Sequence, residues 1–430
     1  MNVFARQLHS RIHFFLSCTI AFLLPFKQFG GLQIIPLLIS LLSINWILEG
    51  DFRSKFQGIR YKLVFCIFIL FYLLHVAGLA WSVDKEAGVF DLQVKFSLFL
   101  FPWIFATRPF NTEKLDRILS CFLLGCASAS VLLLLRATYI YAFTGENSFF
   151  YEQLSFFMHP SYFSMYLNLA LIYLLFCVVK KENTQSKLCW ILIPLFVVVI
   201  ILLSSKLGLI SLLLILATTV CYVIFARKKY LYGIAGLGIM VLGIAGVLKF
   251  SPAIYNRVNN AVQAMSSDNS DKTKIESTAV RKLIWGASRD VISEHPFFGT
   301  GTGDSKAMLM QKYKQEGITG ALKKNLNSHN AYLQILVSLG ITGFLLFLGM
   351  LFLPLIIAWR EGKPFFLCFI LLMALNFIPE SMLETQAGVM YYAFFNCMLL
   401  FSEKTGFGLY VPQLAGSALT SRSPVCDIND

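Results

Sequence analysis

The sequence predicts an all-α, polytopic membrane protein with about twelve transmembrane helices and one large, partly helical loop on a single face. Three observations carry that reading. Of the 430 residues, 57% are hydrophobic and only 14% are charged, where a soluble domain carries roughly 25% charge. The 41 Phe and the succession of long apolar runs present more apolar surface than one water-soluble core of this size can hide. Lys and Arg, finally, collect in alternate connections between the runs. In a soluble chain the net charge of +13 would suggest nucleic acid. Here the basic residues read as topology signals and as contacts for lipid phosphates, so membrane lipids are expected partners and nucleic acid is not.

A span needs about 20 mostly apolar residues. The runs that approach this lie near 12–29, 31–48, 62–81, 94–107, 118–142, 160–179, 188–204, 207–226, 231–250, 331–358, 364–380 and 386–402. Arg6 and Arg11 ahead of the first run resemble the start of a signal sequence. No small-residue cleavage site follows and further spans come at once, so the segment is expected to stay as the first helix. Nine cysteines, from Cys18 to Cys397, lie in or beside apolar runs and the tenth, Cys426, lies in the tail. They read as small hydrophobes, not as a disulfide framework.

Orientation follows from the connections. Arg53, Lys55, Arg60 and Lys62 fall on one side, as do Arg108, Lys114 and Arg117, then Lys180, Lys181 and Lys187, then Arg227, Lys228 and Lys229, then Arg360 and Lys363. The opposite short connections are assigned only Lys27, Lys85, Lys95 and Lys206. The excess of cations marks the cytoplasmic side, so both termini are expected in the cytoplasm. The chain then divides into helices one to nine over 1–250, an outer loop over 251–328, helices ten to twelve over 329–405, and a cytoplasmic tail over 406–430. Inside the spans only Arg136 and His75 stand out as ionisable.

The outer loop is too long for a mere connector. Ser277 to Glu294 places Ala279, Leu283, Ala287 and Val291 at roughly helical spacing, with Pro296 to end the helix. Trp285 and Leu283 are expected to dip into the membrane interface. The pieces "HPFFGTGTGDS" and "SDNSDKTK" are rich in turn residues. Gly299, Gly301 and Gly303 lack the Lys-Ser/Thr pair of a phosphate loop and no strand precedes them, so they read as a tight turn. No metal site is expected, because no His, Cys or carboxylate spacing of that type occurs and "DNSD" lacks the glycine and distal Glu of a calcium loop. No cofactor is implied. An outer face also has no nucleotide pool, which sets aside kinase and nucleotide-sugar chemistry.

The residues able to do chemistry gather around that loop. His329 follows Asn327 and Ser328 where the loop returns to an apolar helix. An ordinary imidazole titrates near pH 6.5, so it can accept a proton from an attacking hydroxyl. It could equally be an interfacial or helix-capping histidine. Arg281, Arg289 and Lys206 supply cations on the same side. A guanidinium at 281 can grip phosphate bidentately or be a solvated surface charge. Lys206 in "ILLSSKLGLISLL" sits where cations are disfavoured, which suggests a function unless it merely snorkels to head groups. His159, Glu380 and Glu384 could line the same cleft or be ordinary helix ends. Gly340 and Gly343 allow close helix packing.

This pattern resembles the O-antigen ligase and polymerase superfamily of bacterial envelope glycosyltransferases. "HNAYLQILVSLGITG" is similar to that family's His-Asn, nine-residue spacer, Gly-x-x-Gly element through His329, Asn330, Gly340 and Gly343. "RKLIWGASRDVISEHPFFGTGTGDS" resembles its Arg-containing segment with a following His-Pro and glycine turn. "SSKLG" stands where the family has Ser-Arg-Gly, with Lys206 in place of arginine, and so loses the planar fork. The similar region runs from about 202 to 343. The resemblance implies a metal-independent, inverting enzyme of the bacterial inner membrane that works on its periplasmic face. It would move a glycan from undecaprenyl diphosphate to a hydroxyl of lipid A core or another envelope acceptor. His329 would be the base, with Arg281, Lys206 and Arg289 on the diphosphate and Asn330, His159, Glu380 and Glu384 in support. Polymerases of the superfamily commonly show two substantial outer loops and only one is evident here, which favours the ligase. The alternatives are a polymerase and, outside the family, a transporter or lipid flippase.

Overall fold

The computed structural model describes residues 3–26, 34–180, 186–225, 228, 230–231, 234, 238, 259, 272–273 and 278–403. All regular structure among them is helical. In chain order the helices are α1 (Val3–Leu23), α2 (Ile34–Leu48), α3 (Phe52–Gln57), α4 (Lys62–Gly78), α5 (Lys85–Thr107), α6 (Thr112–Thr144), α7 (Tyr151–Leu154), α8 (Pro160–Lys180), α9 (Ser186–Leu203) and α10 (Lys206–Phe225). After the gap follow α11 (Thr278–Glu294), α12 (Ser305–Glu316), α13 (Thr319–Lys323), α14 (Ala331–Arg360), α15 (Pro364–Asn376), a 3-10 turn (Met382–Glu384) and α16 (Gln386–Phe401). Nearly all of the expected ninth span, the first part of the large loop with "SDNSDKTK", and the tail lie outside the described residues.

Five helices, α5, α6, α8, α10 and α14, are long and apolar enough to cross a membrane, and shorter apolar helices lie beside them. The expected fourth span at 94–107 proves to be the inner part of a longer helix. Asp84 accepts the Ala87 N–H at 2.9 Å as an N-cap and starts α5 at Lys85. This corrects the placement of Lys95 in a connection. Lys95 lies in the third turn of α5, is 2% exposed, and pairs with Asp91 and Glu384. It also corrects the view that only Arg136 and His75 are ionisable groups within the apolar helices.

Helix ends gather at two separate poles. At one, Glu49 takes Lys55 and Arg108, Glu361 takes Tyr61, Arg60 and Lys363, and Lys363 donates to the Leu400 and Ser402 carbonyls. Many of the Lys and Arg residues read as orientation signals therefore cluster together. At the other pole lie the α4–α5 connection, the start of α8, the α15–α16 connection and the large loop. Between the poles runs one apolar core. Its centre is α16, every residue of which from Gly388 to Phe401 is buried, with Tyr391 stacked on Tyr166 at a centroid distance of 4.2 Å.

The large loop has a core of its own. Val280, Ile284, Ala287 and Val291 recur at helical spacing on α11 and meet Leu309, Tyr313, Ile318 and Ala321 from α12 and beyond, with Val337 of α14 beneath. Leu283 and Trp285 pack against this cluster. Both are only half-buried there.

Candidate active site

The site begins with the way α14 starts. Asn330 is its N-cap, in extended conformation, and accepts the Leu333 N–H at 3.0 Å. Neighbouring backbone donors are anchored as well. Ser328 N–H reaches Gln334 Oε1 at 3.1 Å, Asn330 N–H reaches Ser381 Oγ at 3.0 Å, and Ala331 N–H reaches the Phe377 carbonyl at 2.9 Å. His329 sits between these anchors with φ 43°, in the left-handed region that few non-glycine residues adopt. Its N–H donates to Asn327 Oδ1 at 3.0 Å. A side chain held at such a backbone position by neighbours on both sides is aimed, not left to wander.

It is aimed at Glu380. His329 Nδ1 lies 3.3 Å from Glu380 Oε2, and Arg281 Nη2 donates to Glu380 Oε1 at 2.7 Å. The carboxylate is 8% exposed, whereas the Arg281 and His329 side chains keep 32% and 25% of their surface open. Glu380 thus forms the floor, and its two partners present their free edges outward. Burial alone would raise the Glu380 pKa. The His329 hydrogen bond, the Arg281 charge and the charges of His329 and His159 outweigh it and hold the carboxyl below its usual range. An ionised acceptor on Nδ1 favours the tautomer protonated there and leaves the Nε2 lone pair free to take a proton. The other guanidinium donors of Arg281 remain to bind an anion beside that lone pair.

Other predicted residues take different places. His159 precedes α8, stands 3.8 Å from Glu152 and lies edge-on to Tyr151 and Tyr162. Its charge is among those felt by Glu380. Lys206 opens α10 behind Ser205, whose Oγ accepts the Gly208 N–H at 3.3 Å. That first turn lies on α8, where Asn168 donates to the Gly208 carbonyl at 3.1 Å and a Cβ at Gly208 would sit 2.4 Å from Ser164 Oγ. Lys206 is thus placed by the packing of α10 on α8. Arg289 is exposed two turns beyond Arg281. Glu384 pairs with the buried Lys95 at 2.9 Å, whereas Arg281 and His329 pair with Glu380. Sequence reasoning did not single out Ser381, Tyr162 or Thr385. Thr385 caps α16 and donates to Tyr162 OH at 3.0 Å. Among the described residues no group of three or more His, Cys, Asp or Glu is placed to hold a metal ion.

Gly340 does not serve helix packing in the expected way. At φ 61° and ψ −159° it breaks α14, a conformation essentially restricted to glycine. The turn 296–301 fills the break. Thr300 and Gly301 N–H groups donate to the Val337 and Ser338 carbonyls at 2.8 and 3.0 Å, and Ile341 and Thr342 N–H groups donate to the Pro296 and Phe297 carbonyls at 2.9 and 3.3 Å. A Cβ at Gly299 would lie 2.4 Å from the Ser338 backbone. The glycine turn is thus spliced into the helix that carries His329, and it closes four of the backbone groups that the break opens. Gly343 lies one turn further, where an added Cβ would strike the Leu339 side chain at 2.3 Å.

A family model described as O-antigen ligase matches residues 189–348. No curated protein matches the chain. The matched stretch contains Lys206, Arg281, Arg289, His329, Asn330, Gly340 and Gly343. It leaves out Glu380, Glu384 and His159, which come from the helices packed around it.

Proposed function

We propose, on the match of residues 189–348 to a family model described as O-antigen ligase, that this chain is a membrane glycosyltransferase of the O-antigen ligase and polymerase superfamily and that it is the ligase. It transfers a glycan from undecaprenyl diphosphate to a hydroxyl of lipid A core or a similar envelope acceptor. The single observation that carries the reading is the Glu380 carboxylate bridging Arg281 and His329 at 2.7 and 3.3 Å. It gives one pole of the bundle a base with an oriented lone pair beside a cation with free donors.

The steps follow from these atoms. The acceptor oxygen attacks the anomeric carbon as the bond from that carbon to the diphosphate breaks. The hydroxyl proton passes to His329 Nε2, and negative charge grows on the departing undecaprenyl diphosphate. Arg281, with Lys206 supplying further positive potential from α10, stabilises that charge, at about 3 to 4 kcal/mol for a well-placed donor in a water-poor site. A positioned base adds on the order of 10²-fold to 10⁴-fold. Direct attack inverts the anomeric centre. With the basic pole cytoplasmic, the site faces the periplasm of the inner membrane, where both lipid-linked substrates present their head groups. The short α4–α5 and α6–α8 connections leave one large loop over the site, which supports the ligase over a polymerase.

The test is transfer of labelled glycan from its diphosphate carrier by the full chain in nanodiscs, with core glycolipid as acceptor. His329→Gln should lower turnover by about 10²-fold or more while the carrier still binds. Full turnover in that variant rejects the base role. A lengthened carrier-bound chain identifies a polymerase, and carrier movement without a covalent product identifies a transporter.

A further inference from the structure

We infer that Lys95 is a positioning residue for this site. By holding Glu384 against α5 it fixes the connection that carries Glu380, and so keeps a carboxylate on His329 Nδ1. The inference rests on the transferase reading above.

Lys95 is the least expected charge in the molecule. It lies in an apolar helix, 2% exposed, with Asp91 one turn before it on α5 and Glu384 across the bundle at 2.9 Å. Buried ion groups of this kind are poor stabilisers, because desolvation offsets their attraction and well-packed apolar residues often do as well or better. Within a membrane helix they ordinarily mark function. The Lys95 side chain is itself enclosed and engaged by Asp91 and Glu384, so Lys95 does not act on substrate. Its effect must travel through the backbone that Glu384 terminates.

That backbone is short and clamped. Only nine residues, 377–385, separate α15 from α16. Glu380 and Glu384 are four apart, with the 3-10 turn Met382–Glu384 ending at Glu384. At the start of the connection, Ser381 Oγ accepts from Asn330, and Glu380 meets Arg281 and His329. At its end, Thr385 donates to Tyr162 and the Met382 carbonyl lies against Gly388, where a Cβ would come within 2.0 Å. Lys95 is the ionic anchor of that end. Without it the Glu384 carboxylate, left beside Asp91, is driven to move or to take a proton. The Glu380 floor then shifts with it. A displacement of about 1 Å in a catalytic array can cost on the order of 10²-fold.

The experiment compares Lys95→Met and Lys95→Arg in the full chain, each with and without Glu380→Gln, in the nanodisc transfer assay. Lys95→Met should lower kcat about 10²-fold with donor KM unchanged, and Lys95→Arg should recover most of it. In the Glu380→Gln background Lys95→Met should cost nothing further, because the route it acts through is already cut. A similar loss in both backgrounds would show a merely structural lysine and overturn the inference, as would wild-type kcat in Lys95→Met. Should Lys95→Met not fold, Glu384→Gln leaves Lys95 paired with Asp91. It is expected to lose kcat in the same selective way, and full kcat there rejects the idea. A readout independent of turnover is the His329 Nδ1–H resonance in histidine-labelled protein, assigned by His329→Gln. It should be lost in Lys95→Met, and its persistence would overturn the inference. If the wild type transfers no glycan, the transferase reading falls while this resonance still decides the role of Lys95.

Discussion

Replacing Gly340 by alanine tests whether the break in α14 is a working part of the site. The added Cβ would lie 2.5 Å from the Phe297 carbonyl carbon and oxygen and 2.7 Å from Gly299 N. All three are backbone atoms that cannot swing aside. An L-residue at φ 61° and ψ −159° also carries about 1 to 3 kcal/mol of strain. Driving the turn out opens the four hydrogen bonds of the splice, and each buried group left without a partner costs about 1 to 3 kcal/mol. Losing even one pair brings the expected destabilisation to about 3 kcal/mol or more. If α14 straightens instead, its own ladder recovers those bonds, so the stability loss is smaller, but the turn that packs against the His329 half of the helix is expelled. Transfer activity falls in either case. Gly349→Ala is the control on the same helix, because its Cβ meets only the end of the Ile67 side chain at 3.1 Å. Thermal unfolding in one fixed detergent, with nanodisc transfer measured in parallel, compares the two. A Gly340→Ala protein as stable and as active as Gly349→Ala would refute the reasoning.

Two further outcomes follow from the charges at the site. Glu380 has a native pKa below its ordinary value of 4.5, so its ion pairs contribute stability that is fully present above about pH 4.5 and is lost as pH falls through the lower native value. The melting temperature of the wild type should therefore drop over that acid range, and Glu380→Gln should flatten this part of the curve; an unchanged curve would show that the carboxylate is not held as described. Lys206→Gln should lower turnover on the order of 10²-fold and Lys206→Arg should retain it, with undiminished activity in the Gln variant removing Lys206 from the phosphate role.

The helices were legible because their signal is local. A run such as 118–142 or 331–358 needs no partner to be read, and α11 shows its spacing at Val280, Ile284, Ala287 and Val291 in the primary sequence. Lys95 was misplaced for the opposite reason. Lys85, Glu86, Asp91 and Lys95 within eleven residues look like a connection when charge density is read alone, and only Glu384, 289 positions away, makes a buried ammonium tenable. The i,i+4 spacing of Asp91 and Lys95 was the one local clue that both lie on a helix. Similarly, "HPFFGTGTGDS" announces a turn, but nothing in it says that the turn fills a gap in α14. That gap depends on the φ of Gly340 and on backbone pairing between positions 37 or 45 residues apart. His329, Arg281 and Lys206 were found as types of residue in suggestive places. Their geometry depends on Glu380, which the sequence presents as one helix-end carboxylate among several.

The stretch matched by the family model is chemically incomplete by itself. It holds His329, the proposed base, and Arg281, the proposed diphosphate cation, yet the carboxylate that joins them at 2.7 and 3.3 Å comes from position 380, beyond its end at 348. A connection can hold such a group steadily only if the helices on either side are fixed, and α16 is the most enclosed helix of the bundle, buried along its whole length after the first turn begins. The Tyr166 and Tyr391 stack and the Tyr166 hydrogen bond to the Ala387 carbonyl at 2.8 Å tie it to α8, which also bears the first turn of α10 and hence Lys206. The aromatic core between α8 and α16 therefore joins the helix that follows the Glu380 connection to the helix that supports Lys206, the proposed second cation. An apolar substitution there, far from any substrate, should disturb transfer through geometry before it disturbs binding.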